Sequence, residues 1–505
     1  MNKSNFKLRV VLLAIFGVFA MSSTKVHAQF KRHYWLNPAS VNYTLSYPTS
    51  NGEWMQAAAR QDPNSPFKNT IAVFRLDNSY NLLDSRVIGH YWNGKDFDPE
   101  VNFEIHCIVE SFNPTGYYII CGSMSRGNAT QTIGVVVVLD ALLNPQVIRE
   151  YPDVRNFYSV YAQDGYFFVC GQTQGGYGIV LRDNITTVGA GLMAYATQPH
   201  QQWNYQKIRV VNVPGSGEIK VSGTGISEDG GQTLGYTIFN VTAGIFFIQS
   251  NWAGTASWQW QPMGHGIGSK VVIANHPGGA GGQGVVVSVS DNEAIYTYLF
   301  FQYPTPSYVF KIPCHGGVLE DVECAGGGAG AMDPQIAWVG NFQQPITQRR
   351  AYYLHMLLSQ THPPFPISPA TFTYFYPLPM MDNAYYSLHK VHFFRNPWNP
   401  INPGDLQFHA SGYYKYRNGN KTTFAVTPDL LHEGENECIR RERVEIEYLE
   451  MPDLHPLNLE NADIHVEWYE SFSKKYEFCP IECYDEFKDG EECGNHGGGI
   501  IIIGK

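Results

Sequence analysis

Four acid–base side chains fall close together in the stretch FDPEVNFEIH: Asp98, Glu100, Glu104 and His106. In an extended chain Asp98, Glu100 and Glu104 share a parity, and so a face. Two carboxylates at one site can do acid–base work on a glycosidic bond. A solvated loop entering the strand EIHCIVES has the same spacing, so these carboxylates stand as candidates only. A second cluster lies in NWAGTASWQWQPMGHG, where Trp252, Trp258 and Trp260 neighbour Gln259, Gln261 and His265. Indole faces beside amides can stack on sugar rings. Strand alternation alone also explains two Trp two residues apart.

A third group is Cys479-x3-Cys483-x9-Cys493-x2-His496. Such spacing can hold zinc, which needs four ligands. In an oxidising compartment the same residues pair as disulfides, and with Cys438 they allow two bridges in three connectivities. Cys314 and Cys324 are candidates for a further bridge. Disulfides are the expectation here; no metal and no cofactor is expected. The chain has no G-x-S-x-G elbow, no H-E-x-x-H, no phosphate loop and no calcium loop, so catalytic residues cannot be assigned from motifs.

The compartment follows from the start of the chain. Lys3, Lys7 and Arg9 precede the apolar run Val10 to Met21, and Ser22 to Ala28 ends V-H-A. That order is a cleavable signal peptide over residues 1–28. The apolar run is well below the ~20 residues a membrane helix needs. Export to the periplasm, cell surface or exterior is therefore expected, with no membrane span.

The elements that would position these groups read as strands. Aromatic residues make up 14% of the chain and charged residues only 16%, with 49 Gly. That balance favours β structure. The net charge is −11, and the first 28 residues carry four basic and no acidic side chains, so the remainder carries −15. A chain this acidic lacks the basic face that nucleic acid requires. Residues 431–505 hold 19 Asp/Glu and 7 Lys/Arg. This shift, with four Cys, marks 29–430 and 431–505 as separate parts.

An apolar strand closing on a turn residue recurs along 29–430: IAVFRLD (71–77), VVVVLD (135–140), GIVLRD (178–183) and YTIFNV (236–241). Ahead of each lies another apolar strand, three of them ending on Gly122, Gly171 and Gly223. Looser copies end on Gly340 and Gly412, with GVVVSVS (284–290) between. The first copy, MQAAAR (55–60), lacks the Gly. A four-stranded unit repeated every ~50–60 residues resembles a β-propeller blade. The resemblance is to secreted β-propeller repeat proteins at the level of architecture, without kelch or WD40 signatures. It implies an all-β propeller of about seven blades, six to eight in range; tandem β-sandwich modules are the alternative. The repeated Asp residues read as turn carboxylates, and Cys121 and Cys170 as buried apolar groups.

Three functions fit. The favoured one is an exported binding or scaffold protein whose propeller-face loops take a carbohydrate or protein partner. The alternatives are a carbohydrate-active hydrolase or lyase with its site in the central funnel, and a structural subunit. The last would assemble by strand addition through Ile500, Ile501, Ile502 and Ile503. The enzyme reading requires non-repeated acidic or His side chains converging on the channel.

Overall fold

A strand that is apolar at every position needs a packing partner on both faces. Ile133–Leu139 (IGVVVVL) is such a strand, and all of Gly134 to Leu139 is buried. Val135, Val137 and Leu139 pack in one apolar slab with Leu45, Ala57 and Val73. Val136 and Val138 pack in another with Phe157, Val169 and Leu181. The sheet is thus sandwiched between its predecessor and its successor, and the same demand passes from sheet to sheet until the series closes on itself.

The computed structural model describes residues 31–36 and most of 41–482. It does not describe 1–30, 483–505 or a number of connecting segments, among them 199–202, 212–217, 249–256, 261–270, 358–369, 396–405 and 428–438. Among the described residues every regular element is a strand, and no helix is long and apolar enough to cross a membrane. The expected signal peptide, Trp252, His265, Cys438, Cys483, Cys493 and Ile500 to Ile503 lie outside the described residues.

The strands form seven sheets. Taken in chain order, their innermost strands are Val41–Pro48, Val101–Glu110, Val154–Gln163, Trp203–Val211, Val271–His276, Gly317–Ala325 and Tyr385–Arg395. Each inner strand touches the inner strands of the sheets before and after it, and the seventh returns to the first. The chain is therefore an all-β propeller around a central axis, not a row of sandwiches. The ring is closed by the start of the described chain: Lys31–Leu36 pairs with Lys421–Thr427 in the seventh sheet. GVVVSVS, the degraded repeat, is the second strand of the fifth sheet.

The acidic segment after residue 438 does not fold on itself within the described residues. It adds one more antiparallel strand to each sheet in turn. Ile439–Val444 joins the sixth sheet, Glu447–Tyr448 the fifth and Leu454–Pro456 the fourth. Leu459–Asn461 joins the third, Glu467–Tyr469 the second and Ser471–Lys475 the first. Cys479–Glu482 then joins the seventh, beside Lys31–Leu36. The sequence suits this course. Ile464 and Val466 pack inward against the slab between the second and third sheets, while Glu445, Glu450, Asp463 and His465 point out. Outer sheet edges are open templates for aggregation, and this belt covers them.

The cysteines correct one expectation. Cys314 is a buried thiol whose Sγ lies 3.5 Å from Gly317 O across a tight turn, not half of a bridge to Cys324. Cys107, Cys121 and Cys170 are also buried thiols. Burial raises the Cys121 pKa well above the usual thiol range, so it is inert apolar filling. Cys479 lies in the last belt strand.

The repeated glycines have a specific cause. Inner strands carry a β-bulge directly opposite them, with extra residues at Asn42, His106, Tyr158, Gln206, Glu320 and His389. The bulge drives an inner-strand carbonyl into the second strand. A Cβ on Gly122 would sit 2.0 Å from Glu104 O, on Gly340 2.2 Å from Val318 O. Gly171 and Gly412 meet Asn156 O and Ser387 O still more closely. The pairs described for the fifth inner strand run without a bulge, and the strand opposite has no such glycine. In the first sheet Arg60 stands in the glycine's place, opposite Val41.

Two outcomes follow. Gly122→Ala should cost about 2 kcal/mol or more, in line with forced overpacking, seen as a lower denaturant midpoint; an unchanged midpoint would mean the carbonyl does not approach. A chain ending at residue 430 should aggregate on size-exclusion chromatography where the full chain does not, because every sheet then has an open edge.

Candidate functional site

A bulge leaves one residue out of the ladder and re-aims its side chain. Six inner strands bulge opposite the corresponding place in their second strand, and the residues left out of the ladder do not repeat: Asn42, His106, Tyr158, Gln206, Glu320 and His389. Their common position is architectural; their differing chemistry is not. The bulges fall in the first half of each inner strand in five of six cases, nearer the mouth where each sheet hands over to the next.

On one wall, the second and third sheets bring four side chains together. His106 Nε2 lies 3.8 Å from Glu104 Oε1 and 3.0 Å from Asn156 Nδ2. With the amide nitrogen donating, His106 is a neutral imidazole accepting at Nε2. Its ring meets Tyr158 at 5.3 Å between centroids. Glu104 alternates with Phe103 and Ile105, which are buried in the slab toward the first sheet. The Glu104 side chain is 64% exposed, yet surrounding protein desolvates it and raises its pKa above the ordinary carboxylate value. A group that solvent touches but protein walls surround is the state expected of a side chain facing the axial mouth. A raised carboxyl there is an acid that still carries its proton where ordinary carboxylates do not.

On another wall the sixth and seventh sheets meet. His389 Nδ1 lies 3.5 Å from Glu320 Oε2, and its Nε2 lies 3.0 Å from Ser387 Oγ. The Tyr413 ring packs 5.3 Å from the imidazole. The backbone here is pinned from the sixth sheet. Asn341 Nδ2 donates to Leu388 O at 3.1 Å, and Leu388 N donates to Asn341 Oδ1 at 3.0 Å. Val391 N donates to Asp321 Oδ2 at 3.2 Å. These are buried polar groups spent on holding one bulge in place.

The expected carboxylate face is split. Asp98 closes a turn: Glu100 N donates to its Oδ1 at 2.9 Å. Its other oxygen lies 3.8 Å from Arg126, which in turn holds the buried Glu150 at 2.8 Å. His90 Nε2 lies 2.9 Å from the same Glu150 oxygen, and Tyr469 of the belt packs against both His90 and Arg126. Asp98 thus serves the seam between the first two sheets, Glu100 is exposed on the turn, and Glu104 alone of the three lies on the inner strand. Trp258 and Trp260 lie in Ser257–Trp260, paired on both sides, to Tyr236 and Leu234 and to Pro456 and Leu454. That strand is outer, away from the axis. GIFFIQS, expected as the fourth strand, contributes Ile245–Ile248, a short spur off the same neighbour.

The repeated Asp residues are structural in two ways. Asp140 accepts from Leu142 N and Asn144 N, as a turn carboxylate does. Asp183 does more: it is wholly buried against Arg149 of the second sheet at 2.9 Å, with Tyr151 OH at 3.1 Å. Among the described residues no three His, Cys, Asp or Glu are placed to hold a metal ion.

Tyr158, Glu320, Ser387 and His389 were not singled out by the sequence. The signal was a bulge position facing a repeat glycine. It is not at a fixed distance, because the hairpin between inner and second strands ranges from the short turn at 164–165 to the long connections 326–334 and 396–405.

No family model matches the chain, and no curated protein matches it. Two solved structures are similar to it in fold. One is the α-L-arabinofuranosidase of Fusarium graminearum in complex with an iminosugar inhibitor, at 10% identity and TM-score 0.37, covering 78% of this chain and 94% of that one. The other is the Penicillium chrysogenum α-L-arabinanase complexed with arabinobiose, at 10% identity and TM-score 0.36, covering 78% and 98%. At that overlap they say nothing about what this chain binds.

Glu104's raised pKa gives a sign to test. Its contribution to stability is full below the ordinary carboxylate range and is lost as pH rises through its own, higher pKa. Glu104→Gln should therefore stabilise the fold at pH 8 and leave it unchanged at pH 4, measured by urea unfolding. Equal stabilities at both pH values would place Glu104 in open solvent.

Proposed function

We propose that this chain is an exported carbohydrate-active enzyme whose reacting centre is the ring of bulge side chains at the mouth of the axial channel. Each of the seven sheets is one blade. Residues 1–28 direct export, 29–430 form the propeller, and 431–505 supply the belt and a Cys-rich end. The observation that supports this reading is the set of bulge residues: differing residue types occupy one architectural position, and two pairs of them, His106 with Tyr158 and Glu320 with His389, meet across seams between sheets. The enzyme alternative requires acidic and His side chains that converge on the channel, and these pairs support it over recognition by face loops.

The ligand class follows from the donor set. Polyols present hydroxyls that both donate and accept, with apolar C–H faces between them. Glu104, His106 and Asn156 on the wall of the second and third sheets match the first, and Tyr158 the second. The reaction class follows from Glu104. A carboxyl whose protonated form is favoured by burial can give its proton to a departing glycosidic oxygen, with His106 beside it and Asn156 holding His106. Asp98 and Glu100 take no part.

The test is turnover on a panel of oligosaccharides and polysaccharides by the mature chain. Glu104→Gln should lower kcat about 100-fold with the binding constant for the same glycan little changed. The wild-type rate should fall as pH rises past Glu104's raised pKa, because the donor must be protonated. Binding without turnover in the wild type would return the chain to the binding reading. Turnover unaffected by Glu104→Gln would remove Glu104 from the chemistry.

A further inference from the structure

The seam between the sixth and seventh sheets holds an arrangement that glycosidic cleavage does not use. Ser387 Oγ lies 3.0 Å from His389 Nε2, and His389 Nδ1 lies 3.5 Å from Glu320 Oε2. A hydroxyl on one ring nitrogen and a carboxylate on the other is the order that acyl transfer requires. The base must reach the nucleophile's proton through one nitrogen while the other is oriented and its charge balanced. Sequence order gives no hint of it, since Ser387 and His389 are two residues apart on one strand and Glu320 belongs to the preceding sheet.

Three features separate this from an incidental contact. The bulge leaves His389 out of the ladder, and its imidazole lies on Ser387. The backbone on either side of it is locked by Asn341 and Asp321, buried polar side chains of the neighbouring sheet. Tyr413 fixes the plane of the ring. The imidazole is hydrogen-bonded at Nε2 to Ser387 and faces Glu320 at Nδ1, with its backbone clamped. The 3.5 Å arm to Glu320 is the looser one, as such arms often are before a ligand closes the site.

We infer that Ser387, His389 and Glu320 form a serine-type acyl-transfer centre that hydrolyses an ester, on an O-acylated ligand entering the same axial channel. The ligand class rests on the glycan reading; the chemistry does not. Ser387 Oγ attacks the ester carbonyl while His389 Nε2 takes its proton. The C–O bond to the leaving alcohol breaks, and His389 returns the proton to that oxygen. Water then attacks the Ser387 ester, His389 again taking and returning a proton, and releases a carboxylic acid. Glu320 stays ionised and offsets the imidazolium charge.

The experiment is covalent labelling of the mature chain by a small sulfonyl fluoride, read by peptide mass spectrometry, beside hydrolysis of p-nitrophenyl acetate. One label on Ser387 is expected, lost in Ser387→Ala, with ester hydrolysis lost alongside it. Glu320→Gln should slow labelling at least 10-fold. No label on Ser387 in a chain whose circular dichroism and melting match the folded state would overturn the proposal. So would ester hydrolysis that survives Ser387→Ala. Glycan turnover reports separately: retained in Ser387→Ala and lost in Glu104→Gln, it leaves the glycan reading standing whichever way the label falls.

Discussion

The contact on which the channel depends is a carbonyl pressed into a glycine. Where Glu104 O, Asn156 O, Val318 O and Ser387 O approach the second strand, a Cβ would meet them at about two ångströms. That is far inside van der Waals contact, so the residue opposite has no side chain. The close approach and the bulge are one event: the inner strand holds an extra residue, bends, and turns that residue out of the ladder. A side chain at these four glycines would press on that carbonyl and disturb the bulges that carry His106, Tyr158, Glu320 and His389; the first sheet, with Arg60 in that place, keeps its bulge at Asn42. Conformational permissiveness is not the reason for these glycines; lack of a Cβ is.

Around that core the structure solves two boundary problems. Within the ring, sheets apolar on both faces bury them in slabs shared with each neighbour, as the odd and even positions of Ile133–Leu139 show. Where charge enters a slab it comes paired. Arg149 and Asp183 are both wholly buried at the seam between second and third sheets, and breaking such a pair leaves a lone buried charge. At the rim, the belt from 439 to 482 pairs with the outer edge of every sheet. The order runs backward along the chain from sixth to first and ends at the seventh, so both termini of the described chain meet in one sheet.

Much of the fold was legible because it repeats. Strand–Gly and strand–Asp copies at near-regular spacing located the sheets, and the absence of Gly in MQAAAR correctly marked a first copy that departs from the rest. The acidic, Cys-rich end was legible as a change in composition but not as a belt. Its strands are three to six residues, or only two at Glu447–Tyr448, and carry no pairing signal of their own. The site was legible on one wall only. Glu104 and His106 were named, but in company with Asp98 and Glu100, which a single turn sends elsewhere. Parity fails across a turn, and face assignments that cross one do not hold. Ser387, His389 and Glu320 could not be joined from sequence, because two strands from different sheets supply them and the intervening connections vary in length.

The most direct measurement is a crystal structure of the mature chain with a bound oligosaccharide drawn from the panel it turns over. The account predicts sugar density at the axial mouth, within hydrogen-bond distance of Glu104 and of at least one bulge side chain among His106, Tyr158, Glu320 and His389. Sugar bound instead at the outer strand of Trp258 and Trp260, or on the belt, with the axis holding only solvent, would contradict it.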